Sequence, residues 1–356
     1  MNGTTPTTQD TPDKGRLQIN LVSDISAYPI QGAQISIFYT GVPEAQLEQL
    51  TTDSSGQTDT IDLAAPPLEY SLNPENEVQP YSEYTMQITA EGFESVSIAG
   101  AEILADVTAI QNVSMKPIDT PEDEETVFVI PAHTLYATYP PKIPEDEIQP
   151  TFESGEIVLS RVVVPEYIVV HDGSPRDSTA KNYYVKYKDY IKNVASSEIY
   201  ATWPEDTIRA NVLAIMSFTL NRVYTEWYRN KGYDFTITSS TAYDHKWIYG
   251  RNIFASIDRI VDELFENYLS RPNVRQPILT QYCDGKQVQC RNRGWMTQWG
   301  SKALGDQGYS AIEILRTFYG NDMYINVAEA ISGIPSSWPG YDLSLIHISE
   351  PTRRTP

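Results

Sequence analysis

From Arg16 the chain alternates apolar and polar positions: Leu17, Ile19 and Leu21, then Ile35, Ile37 and Tyr39. Two later runs, Tyr84–Ile88 and Ile110–Met115, repeat the two-residue period of half-buried strands. Turn chemistry separates them, in Pro29-Ile30-Gln31-Gly32 and Thr52-Asp53-Ser54-Ser55-Gly56. Short strands punctuated in this way predict an antiparallel β-sandwich over residues 15–118. Residues 1–14, rich in Thr, Asp and Pro, are expected to be disordered. Residues 119–156 carry acidic clusters and Pro140, Pro141, Pro144 and Pro150, which predicts a linker, with Val127–Ile130 as an apolar run able to dock as a strand. Beyond it the period changes. After strands over Ile157–Val170, helices are predicted over Asp206–Arg229 and Asn252–Ser270. A last helix should open at Ser310, with Glu313 completing a capping box, and stop at Gly320. Residues 157–335 therefore form an α+β domain, and the chain is multidomain.

Charge divides the chain as the pattern does. Residues 1–164 hold 5 Lys and Arg against 26 Asp and Glu, whereas residues 165–342 hold 19 against 20. No basic stripe is present, so nucleic acid is not an expected partner. No apolar run reaches the roughly 18 residues of a membrane span. The polar opening Met1-Asn2-Gly3-Thr4 shows no secretory signal. Cys283 and Cys290 have too few companions for zinc and are either a hairpin-closing disulfide or two free thiols.

The candidate chemistry lies in the second half. Glu198 stands between Ser197 and Ile199, near Tyr200 and Trp203, where rings can desolvate a carboxyl and keep it protonated. Glu205 and Asp206 follow Pro204 and open a helix, where the dipole favours the charged form. Glu198 thus ranks first as a general acid and Asp206 second. The plainer alternatives are a turn carboxylate capping an amide for Glu198, and dipole compensation for Glu205 and Asp206. Trp295, Trp299 and Tyr282, beside Gln281, Gln298 and Asn292, are candidates for a sugar-stacking wall, with Gln298 hydrogen-bonding an N-acetyl group. Their plainer roles are core packing and, for Gln298, turn satisfaction. His171 and His245 are expected to serve structure. Ser239-Ser240-Thr241 has no His and Asp at serine-hydrolase spacing.

Over residues 160–330 these motifs resemble the SpoIID/LytB-like domain of bacterial peptidoglycan lytic transglycosylases, in particular clostridial spore cortex-lytic enzymes. That family's pattern has an acid before Trp-Pro, a second acid eight positions on, and a Gly-Met-Ser-Gln-Trp-Gly-Ala block leading to Glu-Ile-Leu. Glu198, Trp203-Pro204 and Asp206 match the first part, with Asp in place of Glu. Trp295-Met296-Thr297-Gln298-Trp299-Gly300-Ser301, Gly308 and Glu313-Ile314-Leu315 match the second. The His preceding that block is absent. So is the zinc-binding His/Cys set of some members, since Thr238–Tyr249 contains only His245; no metal or cofactor is expected.

The resemblance implies cleavage of peptidoglycan glycan strands to a 1,6-anhydro product, in the spore cortex or coat or otherwise outside the cytoplasm. It also implies a precursor opened by an activating protease, the N-terminal part being a pro-region or wall-associated module. The alternative is a non-catalytic, peptidoglycan-binding or amidase-modifying module of the LytB type. The Pro-Ile-Gln-Gly-Ala and Ala90-Glu91-Gly92-Phe93 motifs resemble prealbumin-like or carboxypeptidase-regulatory-like sandwiches, which bears on fold alone. Residues 343–356 resemble a translated sequencing adapter, so the native chain is expected to continue past Asp342.

Overall fold

The computed structural model describes residues 12–118, 125–149, 159, 161–286 and 294–331. These fall into two compact units. The first takes the residues up to Tyr136 with Tyr200–Trp203 and Ile248–Asp258; the second takes Ala137–Ile199, Pro204–Trp247 and the chain from Arg259. The expectations placed on residues 1–11, 119–124, 150–158, 332–356 and Cys290 lie outside the described residues.

The first unit carries two sheets. Its elements are β1 (Asp13–Ser23), β2 (Gln34–Tyr39), β3 (Gln46–Thr51), β4 (Ile61–Ala65), the single turn α1 (Glu69–Leu72), β5 (Ser82–Thr89), β6 (Val96–Ile103), β7 (Thr108–Met115) and β8 (Thr126–Val129). One sheet runs Ile253–Phe254, β7, β1, β4, and the other β3, β2, β5, β6, β8. The pairing is not wholly antiparallel: β1 lies parallel to β7, and β6 parallel to β8. Leu17, Ile19 and Leu21 of β1 are fully buried, as are Tyr84, Met86 and Ile88 of β5, so the alternation marks the inner faces. Tyr39 departs from it. The β2–β3 register shifts between Ile37 and Phe38, which turns Phe38 inward and leaves Tyr39 exposed against the Tyr84 ring at 4.9 Å. At the β3–β4 turn Asp53 accepts from the Ser55 hydroxyl (2.7 Å) and from the Gln57 and Ser55 amides (3.0 and 2.9 Å), and these bonds, the hydroxyl's foremost, hold its pKa down.

The second unit contains β9 (Val163–Val164), β10 (Tyr167–His171), β11 (Asn182–Lys186), α2 (Tyr187–Glu198), α3 (Glu205–Tyr224) and β12 (Ile237–Thr238). Later come α4 (Ala255–Leu264, begun in the first unit), α5 (Gln298–Asp306) and α6 (Ala311–Tyr319). The sequence expects one apolar face on α3. Instead α3 is enclosed on all sides from Thr207 to Tyr224 except at Arg209. Its buried polar residues are therefore hydrogen-bonded: Asn211 donates to the Ser301 hydroxyl (2.8 Å) and Asn221 to the Pro277 carbonyl (2.7 Å). The helix expected over Asn252–Ser270 is shorter, because Ile253–Phe254 pairs with β7 and Asn267–Ser270 pairs with Tyr324–Val327. α6 has the expected capping box between Ser310 and Glu313 and ends at Gly320.

The stretch expected to be a linker is held throughout its described part. β8 is an edge strand, and Ala137–Gln149 belongs to the second unit.

Candidate functional site

Glu198 is the last residue of α2, not a turn residue ahead of a helix. That position matters electrostatically. The C-terminal end of a helix carries partial negative charge and disfavours a second one. The residue is 5% exposed. Its carboxyl accepts from the Lys246 amide at 2.8 Å and from the Gln298 side-chain amide at 3.3 Å, and Gln298 also donates to the Glu198 carbonyl at 2.9 Å. Burial raises the Glu198 pKa; the Lys142 ammonium opposes that most strongly, followed by the two amide donors. The Tyr282 hydroxyl faces the same carboxyl and lowers its pKa further, yet lies outside hydrogen-bond geometry with any described residue.

Local pairing assembles these groups. Tyr282–Cys283 lies parallel to Met296–Thr297, which sets Tyr282 beside the start of α5 and hence beside Gln298. In the Gln298-Trp299-Gly300 motif the glycine is a packing requirement: a Cβ there would overlap the Thr297 hydroxyl and touch the Phe318 ring. Gln298 was expected to meet an N-acetyl group. Its amide nitrogen is committed to Glu198, whose carboxyl it positions. Tyr282 is buried, whereas Trp295 and Trp299 are half-buried. Cys283 is disulfide-bonded.

Asp206 is not part of this cluster. It is exposed, and its carboxylate accepts from the Ala311 amide at 3.1 Å, serving the N-terminus of α6. Glu205 is exposed too. Arg259 and Arg209 bind it at 2.9 and 2.8 Å and hold its pKa down. The structure thus brings Glu198, Gln298 and Tyr282 together and leaves Asp206 apart.

Sequence reasoning missed the layer behind Glu198. Asp244, fully buried, accepts from Arg222 Nε (2.8 Å), the Tyr228 hydroxyl (2.6 Å), and the Thr238 amide and hydroxyl (2.9 and 2.7 Å). Burial works against the Arg222 charge, but Asp244 and Glu145 outweigh it and push its pKa up. His245 is buried and held neutral by burial with Lys142 and Arg222 nearby; its Nδ1 meets the Tyr190 hydroxyl at 3.0 Å. Lys142 was missed as well. Its ammonium donates to the Asp244 carbonyl and lies over the Phe218 and Tyr282 rings at 5.2 and 5.1 Å. Burial lowers its pKa, with Glu198 and Asp244 resisting. Among the described residues no three His, Cys, Asp or Glu side chains converge as metal ligands, and no helix is long and apolar enough to cross a membrane.

No family model matches the chain, and no curated protein matches it. Solved structures similar to part of it include the Bacillus anthracis TIE protein (18% identity, 30% of this chain and 18% of that one, TM-score 0.22). GBS52, the minor pilin of Streptococcus agalactiae, is 15% identical over 34% of this chain and 49% of its own (TM-score 0.21). The 5-hydroxyisourate hydrolase of Klebsiella pneumoniae is 16% identical over 29% and 86% (TM-score 0.19). The chain spans less than two thirds of the length of the TIE protein and of the pilin. Likenesses at this level assign no activity.

Proposed function

We propose that the chain is a peptidoglycan lytic transglycosylase of the SpoIID/LytB-like kind, acting on spore cortex during germination and made as a precursor. The observation that carries the reading is Glu198: a buried carboxyl at a helix C-terminus, held by two amide donors, with a raised pKa. Such a group is protonated in a pH range where ordinary carboxylates are not, which a general acid needs. It would donate its proton to the glycosidic oxygen as the bond to the muramoyl anomeric carbon breaks. The resulting carboxylate would then take the proton of the muramoyl C6 hydroxyl as that oxygen closes on the anomeric carbon. A 1,6-anhydro sugar forms, water is not consumed, and Glu198 ends protonated as it began. One carboxyl suffices, so the remoteness of Asp206 is compatible with the chemistry.

The prior commitment of Asp206 to α6 also favours a second reading, a non-catalytic peptidoglycan-binding or amidase-modifying module. Mass spectrometry separates the two. Purified cortex treated with the protein should release muropeptides ending in anhydro sugars, and release should rise after proteolytic cutting within residues 119–156. Binding without release would favour the module.

A further inference from the structure

The segment Tyr139–Gln149 runs across the second unit as a strap with two main-chain bonds, from the Ile143 amide to the Ala242 carbonyl (2.7 Å) and from the Leu279 amide to the Glu147 carbonyl (3.2 Å), and a larger set of side-chain bonds. Gln281 binds both sides of one stretch: its amide nitrogen donates to the Ile143 carbonyl (2.9 Å) and its oxygen accepts from the Glu145 amide (3.0 Å). Gln276 does the same at Gln149, accepting from its amide at 2.7 Å and donating to its carbonyl at 3.3 Å. Both glutamines are buried, at 2% and 5% exposure. Two guanidiniums take the strap's carboxylates in forked pairs: Arg222 binds Glu145 (3.0 and 2.5 Å) and Arg271 binds Glu147 (2.7 and 2.8 Å). At the head of this array Lys142 delivers its ammonium to the cage beside Glu198.

We propose that the floor under this strap is a binding groove for an extended polymer bearing acetamido and carboxylate groups, and that the chain's own Tyr139–Gln149 is its resident occupant. The proposal rests on the transglycosylase reading and names how that site would hold its substrate. A secondary amide offers one N–H and one C=O, which is what an N-acetyl group on a sugar offers. Gln281 and Gln276 are therefore acetamido subsites. Arg222 and Arg271 are carboxylate subsites, suited to the free carboxyl groups of peptidoglycan stem peptides. From Lys142 to Gln149 the strap spans at most about 25 Å, long enough for a run of sugars. Its prolines at 140, 141 and 144 remove three amide donors, so most of its grip comes through side chains of the floor that another ligand can also use. While the strap is seated, Lys142 occupies the place where the scissile bond would meet Glu198.

The test uses the full chain and its Lys142→Ala/Glu147→Gln variant, with chitotetraose, the tetramer of β-1,4-linked N-acetylglucosamine, as the probe. Hydrogen exchange at the Ile143, Glu145 and Gln149 amides should speed up in the variant. The apparent Kd for chitotetraose should fall at least about tenfold, because the open groove is a larger fraction of the population. Adding Gln281→Ala in the released background should undo that gain, and a synthetic peptide of residues 139–149 should compete with the sugar. If the double variant fails to fold, Glu147→Gln alone carries the same test with a smaller gain. Faster strap exchange with unchanged sugar affinity overturns the proposal, as does tighter binding that survives Gln281→Ala. Tighter binding without release of anhydro sugars leaves the groove standing and overturns the transglycosylase reading instead.

Discussion

Replacing Asp244 by Asn is nearly isosteric and tests whether the polar layer behind Glu198 is structural. The aspartate is fully enclosed and takes four donors. Asparagine removes the charge that faces Arg222. It also puts an NH2 against either the Arg222 Nε–H or the Tyr228 and Thr238 donors, so at least one pair of donors is left facing. Breaking one side of a buried ion pair costs about 3–5 kcal/mol. A buried donor left unsatisfied costs about 1–3 kcal/mol. Arg222 keeps its forked pair with Glu145, which limits the loss, so a total near 3–4 kcal/mol is expected by weighing these costs. Urea unfolding followed by signals of the second unit should show it. Turnover should fall as well, since Asp244 anchors the loop whose Lys246 amide holds Glu198. A loss below about 1 kcal/mol would refute the reasoning, because no buried pair that was structurally needed could be broken so cheaply.

Glu226 is 4% exposed, and burial, opposed by Arg229, raises its pKa from 4.5 to about 8. Its favourable contribution is whole below the unfolded value and is lost as pH rises towards 8. Glu226→Gln should therefore gain on wild type across that window, by at most about 5 kcal/mol; parallel stability–pH curves would contradict this. Asp206→Ala should cost about 0.5–1 kcal/mol through the lost contact at the start of α6 and leave turnover near wild type. A catalytic Asp206 would instead show a loss of about 10²–10⁴-fold. Gly305→Ala places a Cβ onto the Thr207 hydroxyl where α5 meets α3, and thermal melts should show a loss of about 1–3 kcal/mol.

The strands of the first unit were legible because each carries its own evidence of burial, residue by residue, in a two-residue alternation. The exception, Tyr39, turns on a bulge set by the partner strand, which the local pattern cannot encode. The capping box at Ser310 was legible for the same local reason. Glu198 was singled out as a candidate from neighbouring residues, although its setting was misread: it ends α2, and the donors Gln298 and Lys246 come from distant parts of the chain. The strap was the largest surprise. Its prolines and acids read as a linker because Arg222 and Arg271, which bind Glu145 and Glu147, lie 77 and 124 positions away. A charged residue exposed by sequence standards is drawn against the fold only by a counter-ion that the local sequence does not show. Gln276 and Gln281 were invisible as ligands for the same reason.

The most direct test of the account is Glu198→Gln in the protein cut within residues 119–156, assayed on purified cortex by mass spectrometry of released muropeptides. The amide keeps the shape but cannot carry a proton. The account predicts an intact fold, retained glycan binding and a fall of about 10²–10⁴-fold in anhydro-sugar release; release at near wild-type rates would contradict it.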